Sequence, residues 1–335
     1  FEDGTVAAGI VDVKSKMMRD TVLVSIGDFP VRFFSNEFAI SQRMYLMTET
    51  NGIFDILPLN NKFNPEFAAS ISNEIYLMAS KNKIYAMKMK NKIPKMENIR
   101  LDADRKIIEC IPINKLNYNS ILLIASTKDV SLLNLKNMEI TPLFQYNEYE
   151  SFILMSKIDD INDNNKICLA TYFNQTSNIR IIDLSNEKIS DCRISFDLKI
   201  SGKIKAVCGF KGGILIGVAN SILFYKKNQN DGSYCILSRT SEIGTGIVSI
   251  IANNDLIFVG DRHLSVLILE YVESFQNFRV VGQEPVLRHV LSMDPYKMSV
   301  VGSDIDGNIF TYDDLSKIVS DLSTSFSFSI TLIVC

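Results

Sequence analysis

The chain has 335 residues, of which 47% are hydrophobic and 22% are charged, a balance that is typical of folded globular domains and argues against disorder. Its net charge is −3, and no block of Lys and Arg exceeds a few residues, so we do not expect it to hold nucleic acid by its own electrostatic surface. No stretch comes close to the roughly 18 consecutive apolar residues that indicate a membrane helix.

Short apolar runs, rich in β-branched and aromatic side chains, are the dominant pattern along the chain. Runs of this kind, bounded by Asn, Asp, Gly, Lys and Ser, predict β-strands. Only two windows, residues 14–19 and 315–322, have a spacing that suits a helical turn or a short helix. In chain order, the clearest predicted strands are residues 21–26, 74–79, 120–125, 213–218, 255–259 and 264–269.

Polar turns separate many of these runs, at residues 80–83, 219–221, 252–255 and 304–308. Asn, Asp and Gly accept the left-handed backbone of tight hairpins, so the repeated strand and turn predict a meander. Meanders of four strands arranged radially make a β-propeller, which protects its sheet edges. The repeats are irregularly spaced, and the chain has no Trp. We therefore predict an all-β fold, a β-propeller with degenerate blades that are not of the WD40 type.

Side chains that often carry chemistry are sparse and scattered. The two histidines, His263 and His289, lie far apart in the sequence, and we expect structural or surface roles for both. Asp261 is predicted to cap a turn. No cysteine belongs to a Cys-x-x-Cys pair or has a nearby His, so we expect small buried residues in a reducing compartment rather than zinc ligands. The six are Cys110, Cys168, Cys192, Cys208, Cys235 and Cys335.

Several segments imitate functional motifs without completing them. Residues 304–308, Asp-Ile-Asp-Gly-Asn, resemble the start of a calcium loop, but the glycine comes too early and no Glu follows in register. The glycine-rich segments 209–213 and 244–246 lack the Gly-Lys-Ser/Thr of a phosphate loop. Residues 174–176 fit a glycosylation sequon without a secretory context, and the acidic residues 159–163 are typical of a solvated loop. We assign no catalytic, cofactor-binding or metal-binding residues and predict that the protein is not an enzyme.

Four stretches, in order, resemble one family of large propeller proteins. Residues 27–34, Gly-Asp-Phe-Pro-Val-Arg-Phe-Phe, come first, and residues 38–43 follow, with 57–59, 66–68 and 75–89 at similar spacing. The others are residues 210–225 and residues 258–309. Together they make the chain similar to the family that includes the A subunit of the cleavage and polyadenylation factor, the large damaged-DNA-binding subunit and the 130-kDa subunit of splicing factor 3b.

The resemblance implies a domain organisation. Complete family proteins have three propellers and a helical C-terminal part, and the chain begins at Phe1 rather than Met, so we expect a fragment or an incomplete gene model. Residues 1–97 are expected to be the last blades of a middle propeller and residues 98–312 most of a C-terminal propeller. Residues 313–335 are expected to be a truncated or irregular tail.

The resemblance also implies a function. Residues 307–309 and the Pro-Val-Arg stretch favour the splicing branch of the family. That branch implies a non-catalytic scaffold subunit of splicing factor 3b in the nuclear U2 snRNP, acting in pre-mRNA splicing. The implied partners are other splicing factor 3b subunits, including a HEAT-repeat subunit, with indirect association with pre-mRNA and U2 RNA, no membrane and no small-molecule substrate.

Other functions stay open at this point. Residues 259–261 are shared with the damaged-DNA-binding subunit and residues 303–308 with the polyadenylation subunit, so the alternatives are a polyadenylation subunit and a cullin ubiquitin-ligase adaptor. A glycosidase or lyase built on a propeller is the alternative from another class. It requires carboxylates or histidines that converge on a central channel.

Overall fold

The structure is a computed structural model that describes residues 5–12, 17–26, 32–35, 38–40, 44–50, 53–58, 67–72, 75–80, 83–90, 93–100, 105–113, 121–158, 166–183, 193–228, 233–240, 243–253, 255–296, 299–306, 309–313 and 329–334. These residues form strands, turns and one short 3₁₀ helix, so the predicted all-β class is confirmed. The chain divides into two compact units. The first comprises Phe1–Cys110, Leu135–Glu139 and Val319–Cys335, and the second comprises Ile111–Asn134 and Ile140–Ile318.

The first unit begins with an antiparallel pair of strands and continues with two four-stranded antiparallel meanders. The pair is β1 (Thr5–Asp12) and β2 (Met17–Ser25). The meanders are β3 (Arg32–Ser35), β4 (Phe38–Ile40), β5 (Met44–Thr50) and β6 (Ile53–Pro58), then β7 (Phe67–Ser72), β8 (Ile75–Ser80), β9 (Lys83–Lys90) and β10 (Ile93–Arg100).

The second unit is built on five consecutive antiparallel sheets, four with four strands and one with three. A 3₁₀ helix, Glu273–Phe275, links two strands of the fourth sheet. The strands are β11 (Ile107–Ile113), β12 (Ile121–Ser126), β13 (Asp129–Asn134) and β14 (Glu139–Gln145); β15 (Ser151–Ile158), β16 (Lys166–Phe173), β17 (Thr176–Asp183) and β18 (Arg193–Ser201); β19 (Ile204–Phe210), β20 (Gly213–Val218), β21 (Ser221–Lys227) and β22 (Tyr234–Thr240); β23 (Ile247–Asn253), β24 (Leu256–Asp261), β25 (Ser265–Val272) and β26 (Asn277–Gln283); and β27 (Val290–Tyr296), β28 (Ser299–Asp304) and β29 (Ile309–Asp313).

Two predictions about local structure have clear outcomes. Each of the six clearest predicted strands overlaps a strand of the structure and extends beyond it by at most one residue. The predicted helical turn at residues 14–19 is wrong over Met17–Arg19, because these residues extend β2 and pair with β1 through contacts such as Val11 with Met18. Residues 14–16 and the window 315–322 lie outside the described residues.

The sheets of the second unit repeat two irregularities that the irregular sequence spacing conceals. In four sheets the first strand bulges near its start, between Phe152 and Leu154, Ile204 and Ala206, Ile247 and Ser249, and Val290 and Ser292. In three sheets the pairing of the third and fourth strands also shifts, at Ile181, Phe224 and Ile268. A bulge increases the local twist of a sheet. The recurrence therefore indicates structurally equivalent units, as in the blades of a propeller.

Apolar layers fill the spaces between consecutive sheets of this unit, and their composition explains the sequence pattern. Inner strands such as β20, β24 and β25 are buried on both faces, so they are apolar at most positions rather than at alternate positions. The outer strands β14, β22 and β26 are largely exposed. The four layers contain, in order, Leu123 and Leu169; Ile179 and Ile214; Phe224 and Val259; and Phe258 and Met293.

Two glycines allow the first strand of one sheet to approach the second strand of the sheet before it. A Cβ at Gly217 in β20 would lie 2.9 Å from Cγ2 of Ile247 in β23. A Cβ at Gly260 in β24 would lie 2.9 Å from Cγ1 of Val290 in β27. Both distances are shorter than ordinary van der Waals contact, so any side chain here would push neighbouring sheets apart.

The final described strand, β30 (Ser329–Val334), pairs antiparallel with β1, so the first sheet of the first unit has the order β2–β1–β30. The segment predicted to be a truncated or irregular tail therefore contains one regular strand. The predicted division of the chain at residues 97 and 312 stays a prediction.

Candidate functional site

Most of the buried polar side chains of the second unit lie near one end of its sheets. In an antiparallel meander, the turn between the second and third strands lies at the same end as the exit of the fourth strand. We call this end the hairpin face. It comprises the turns at residues 127–128, 174–175, 219–220, 262–264 and 305–306 and the connections between sheets at residues 146–150, 202–203, 243–246 and 284–289.

Hydrogen bonds tie the turns of the hairpin face to these connections. The hydroxyl of Ser177, at the start of β17, donates to the carbonyl of Gly202 at 2.8 Å and accepts from the N–H of Ile204 at 3.0 Å. Ser265, at the start of β25, makes the equivalent pair of bonds to residues 286 and 288. Backbone bonds do the same elsewhere, as from the N–H of residue 247 to the carbonyl of residue 219. The loops of this face are therefore held in place by the fold.

Five hydrogen bonds from a turn and a connection converge on the carboxylate of Asp261, and we call this group the Asp261 cradle. The buried carboxylate accepts the N–H groups of Thr245 at 2.8 Å and Gly246 at 2.7 Å, and the Thr245 hydroxyl at 2.7 Å. It also accepts the N–H groups of His263 and Leu264, so the predicted turn cap is confirmed. Burial alone would raise the pKa of Asp261, but these hydrogen bonds outweigh burial and lower it.

The glycine-rich segment 244–246 has its explanation here. A Cβ at Gly244 would lie 2.2 Å from Oδ2 of Asp261, so the cradle closes only around a residue without a side chain. The other glycine-rich segment is the hairpin between β19 and β20, where Lys211 and Gly212 have positive φ. Both segments are thus connections between strands, as predicted.

Two further predicted motifs meet on the same face. Asp304 is buried, and its carboxylate accepts Nη1 of Arg288 at 3.2 Å and the N–H of Asp306 at 3.1 Å. The calcium-like segment therefore contains a turn anchored by an arginine, while residues 307–308 lie outside the described ranges. The two exposed imidazoles of His263 and His289 come together, with ring centroids 5.3 Å apart, a contact that sequence spacing could not predict.

A second polar centre, the Glu150 network, lies where the connection from β14 enters the sheet β15–β18. The Glu150 carboxylate is buried, and its Oε1 accepts Nη1 of Arg180 at 2.5 Å and Nδ2 of Asn178 at 3.2 Å. The hydroxyl of Thr171 donates to the same oxygen, and the N–H of Asn147 donates to Oε2 at 3.1 Å. Four donors from three segments of the chain thus converge on one carboxylate.

Electrostatics keep this network ionised. Burial alone would raise the pKa of Glu150, but its hydrogen bonds, that from Arg180 foremost, outweigh burial and lower the pKa from 4.5 to about 2. The Arg180 guanidinium stacks on the ring of Phe144, 4.4 Å from its centroid, and its Nε lies 3.6 Å from Oδ2 of Asp197. The buried cation is therefore stabilised by a close carboxylate, a more distant and partly exposed one, and an aromatic face.

A polar cavity of about 540 Å³ opens beside the Glu150 network. Asn178 lines it, and no donor among the described residues reaches the buried Oδ1 of this side chain. Phe173, at the end of β16, also lines the cavity and is 43% exposed. The charged side chains that line it are Glu148, Glu150, Arg180, Asp197 and Lys199.

Sequence reasoning missed the Glu150 network. The signal that could have indicated it is the mixture of Thr171, Asn178 and Arg180 with the apolar residues of two strands that are mostly buried. Asn178 and Arg180 are two positions apart, so they point to the same face of the sheet. Polar residues in such a place require partners, and the partners come from a connection that is distant in sequence.

The comparison with known families is decisive for the architecture. A family described as "CPSF A subunit region" matches residues 126–321, which is more than half of the chain. The chain belongs to this family. The matched region includes the Asp261 cradle, the Glu150 network and the polar cavity. The predicted family is thereby confirmed.

One curated relative gives a finer comparison for this CPSF A family member. Pre-mRNA-splicing factor RSE1 of Eremothecium gossypii is 28% identical over 150 residues. The aligned region makes up 42% of this chain and 11% of that protein, so the similarity spans about a tenth of the relative's length.

The cysteines of this family member differ in their exposure. Cys168 is buried, and Cys110 and Cys208 are partly buried, whereas Cys235 is exposed; the expectation of burial is wrong for Cys235 because it lies on the outer strand β22. Burial raises the pKa of the Cys110 and Cys168 thiols to about 12, so both are protonated at neutral pH. Cys192, Cys335 and the acidic residues 159–163 lie outside the described residues.

Within the ranges given above, no three His, Cys, Asp or Glu side chains are grouped as metal ligands are. The same ranges contain no helix that is long and apolar enough to cross a membrane.

Proposed function

We propose that the chain is part of a non-catalytic scaffold subunit of the splicing factor 3b type, which acts in the nuclear U2 snRNP during pre-mRNA splicing. The observation that carries the proposal is the similarity to a pre-mRNA-splicing factor within a family to which the chain belongs. The stretches at residues 27–34 and 307–309 support the same branch of the family.

The geometry of the hairpin face supports a scaffold role. Its turns are fixed by hydrogen bonds to the connections, so little conformational freedom is lost when a partner binds. Large apolar side chains stand exposed on it, with exposed fractions of 80% for Tyr149, 72% for Leu287 and 58% for Ile305. Rigid loops that carry exposed aromatic and aliphatic residues are typical of protein interfaces.

The proposed partners are the other splicing factor 3b subunits, among them a HEAT-repeat subunit. The net charge of −3 favours an indirect association with pre-mRNA and U2 RNA, through those partners, over direct binding. As part of the same proposal, residues 1–97 belong to the last blades of a middle propeller and residues 98–312 to most of a C-terminal one.

Affinity purification of the tagged protein from its own cells tests the proposal. We expect mass spectrometry to recover the other splicing factor 3b subunits, including the HEAT-repeat subunit, together with U2 RNA. Recovery of cullin-ligase subunits alone, or of cleavage and polyadenylation subunits alone, would replace the proposal by one of the alternative branches of the family.

A further inference from the structure

We propose that the polar cavity of the sheet β15–β18 receives a basic side chain, Arg or Lys, from a partner polypeptide. The cavity is built from one sheet and the connection that enters it, and its walls contain a buried ion pair and a buried amide. The inference rests on these residues alone and is independent of which complex the protein joins.

Hydrogen-bond balance indicates that the ligand is a donor. Nδ2 of Asn178 donates to Glu150, which fixes the orientation of the amide and directs Oδ1 away from that carboxylate. Asn178 is only 9% exposed, and no described donor reaches its Oδ1. A buried acceptor without a donor is unfavourable, and a guanidinium or ammonium group that enters the cavity supplies the missing N–H.

The charges of the cavity favour a cation. Three carboxylates and two cations line it, which leaves one net negative charge. Arg180 is already engaged by Glu150 and by the ring of Phe144, so its charge is not available to an incoming anion. Asp197, whose side chain is 52% exposed, remains accessible to a second cation.

The rim of the cavity suits a flat cation in particular. Phe173 precedes the turn at Asn174 and Gln175, whose φ angles of 46° and 64° are those of a tight two-residue hairpin. The N–H of Gly202 bonds the carbonyl of Gln175 at 2.9 Å, which holds this rim in place. An exposed aromatic ring on a rigid rim can stack on a guanidinium, so Arg is expected to bind better than Lys.

A peptide titration of the full chain tests the proposal. The probes are three acetylated, amidated tripeptides, Gly-Arg-Gly, Gly-citrulline-Gly and Gly-Glu-Gly, and the readout is saturation-transfer NMR. We expect the Arg peptide to bind and the other two to bind at least about threefold more weakly, because citrulline keeps the shape of Arg without its charge. Equal binding of the Arg and citrulline peptides, or preferential binding of the Glu peptide, overturns the proposal.

Two substitutions that change the charge of the cavity in opposite directions locate the binding site. Asp197→Asn removes a carboxylate from the cavity, and Lys199→Gln removes a cation from the residue opposite Asn178 in the sheet. We expect the Arg peptide to bind about threefold more weakly to the first variant and about threefold more tightly to the second. No change in either variant, or changes in the reverse directions, contradicts a cation site.

Matched controls separate the cavity from the general charge of the protein. Asp255→Asn removes an exposed carboxylate that also pairs with a basic residue, Lys211, and Lys226→Gln removes an exposed cation of β21. Both changes alter the net charge as the test variants do, and we expect both to leave the affinity for the Arg peptide unchanged. If the controls shift the affinity as much as Asp197→Asn and Lys199→Gln, binding is non-specific and the proposal fails.

Discussion

The Glu150 network and the Asp261 cradle bury a carboxylate at the same hairpin face and use it differently. Asp261 takes all its donors from one turn and one connection, four of them backbone N–H groups, and leaves no space beside it. Glu150 takes donors from side chains on two strands, one of them the cation of Arg180, and borders a cavity with an unsatisfied acceptor. The difference indicates that the cradle is a closed structural joint, whereas the network is a joint that is open to a ligand.

The largest expected effect comes from breaking the buried ion pair. Glu150→Gln leaves the Arg180 guanidinium buried beside a neutral amide, with only the partly exposed Asp197 to compensate it. We expect the free energy of unfolding, measured by urea denaturation, to fall by about 3 kcal/mol.

The double variant Glu150→Met/Arg180→Leu is the control for that change. It removes both charges together, so we expect it to cost clearly less than Glu150→Gln alone. If the double variant is the less stable of the two, the ion pair itself contributes net stability and our view of the network is wrong.

The next effect is that of acid, which is expected to weaken both centres, and the Glu150→Gln variant isolates the part that comes from Glu150. The folded-state pKa of Glu150 is about 2 against an ordinary value of 4.5, so folding favours the ionised form, and the stability from this group is present above pH 4.5 and lost as the pH falls toward about 2. The lowered pKa of Asp261 acts in the same direction below its ordinary 3.8. We expect urea midpoints of the wild type to fall over this range and those of Glu150→Gln to fall less. Identical slopes in the two proteins would contradict the assignment.

Removing hydrogen bonds from the Asp261 cradle is expected to lower the free energy of unfolding by less than breaking the ion pair does. Asp261→Asn replaces one carboxylate oxygen by an NH₂ group, which faces N–H donors and cannot accept from them. We expect a loss of about 2 kcal/mol in urea denaturation, because two buried backbone N–H groups lose their acceptor. Asp255→Asn, an exposed carboxylate in the same unit, should change stability by less than about 0.5 kcal/mol.

The smallest expected effect comes from a substitution at the contact between two neighbouring sheets. Gly217→Ala places a methyl group 2.9 Å from the side chain of Ile247 and forces two sheets apart slightly. We expect a loss of about 1 kcal/mol, visible as a lower melting temperature by differential scanning calorimetry. The matched control is Gly246→Ala, where the added methyl group meets nothing closer than 3.8 Å; an equal loss in both variants would show that backbone freedom rather than sheet contact is responsible.

The distance in sequence between partner residues explains which features could be predicted from the sequence. The strands were predictable because strands buried on both faces appear as continuous apolar runs, as at residues 213–218. The Asp261 turn cap was predictable because His263 and Leu264 lie only two and three residues after it, whereas its partners Thr245 and Gly246 lie beyond the length of a local motif. The Glu150 network escaped prediction because its members, from residue 147 to residue 197, meet only when β15–β18 pair. Cys235 was mispredicted because sequence alone does not show which strand of a blade lies outermost.

The most direct test of the difference between an open polar site at the Glu150 network and a closed Asp261 cradle is hydrogen–deuterium exchange on the protein, alone and in the complex purified from its cells. We expect amides at residues 147–150 and 174–178 to become slower to exchange in the complex, and those at residues 245–246 and 263–264 to be slow in both states. Unchanged exchange at residues 147–150 and 174–178, with new protection confined to the cradle, would contradict this expectation.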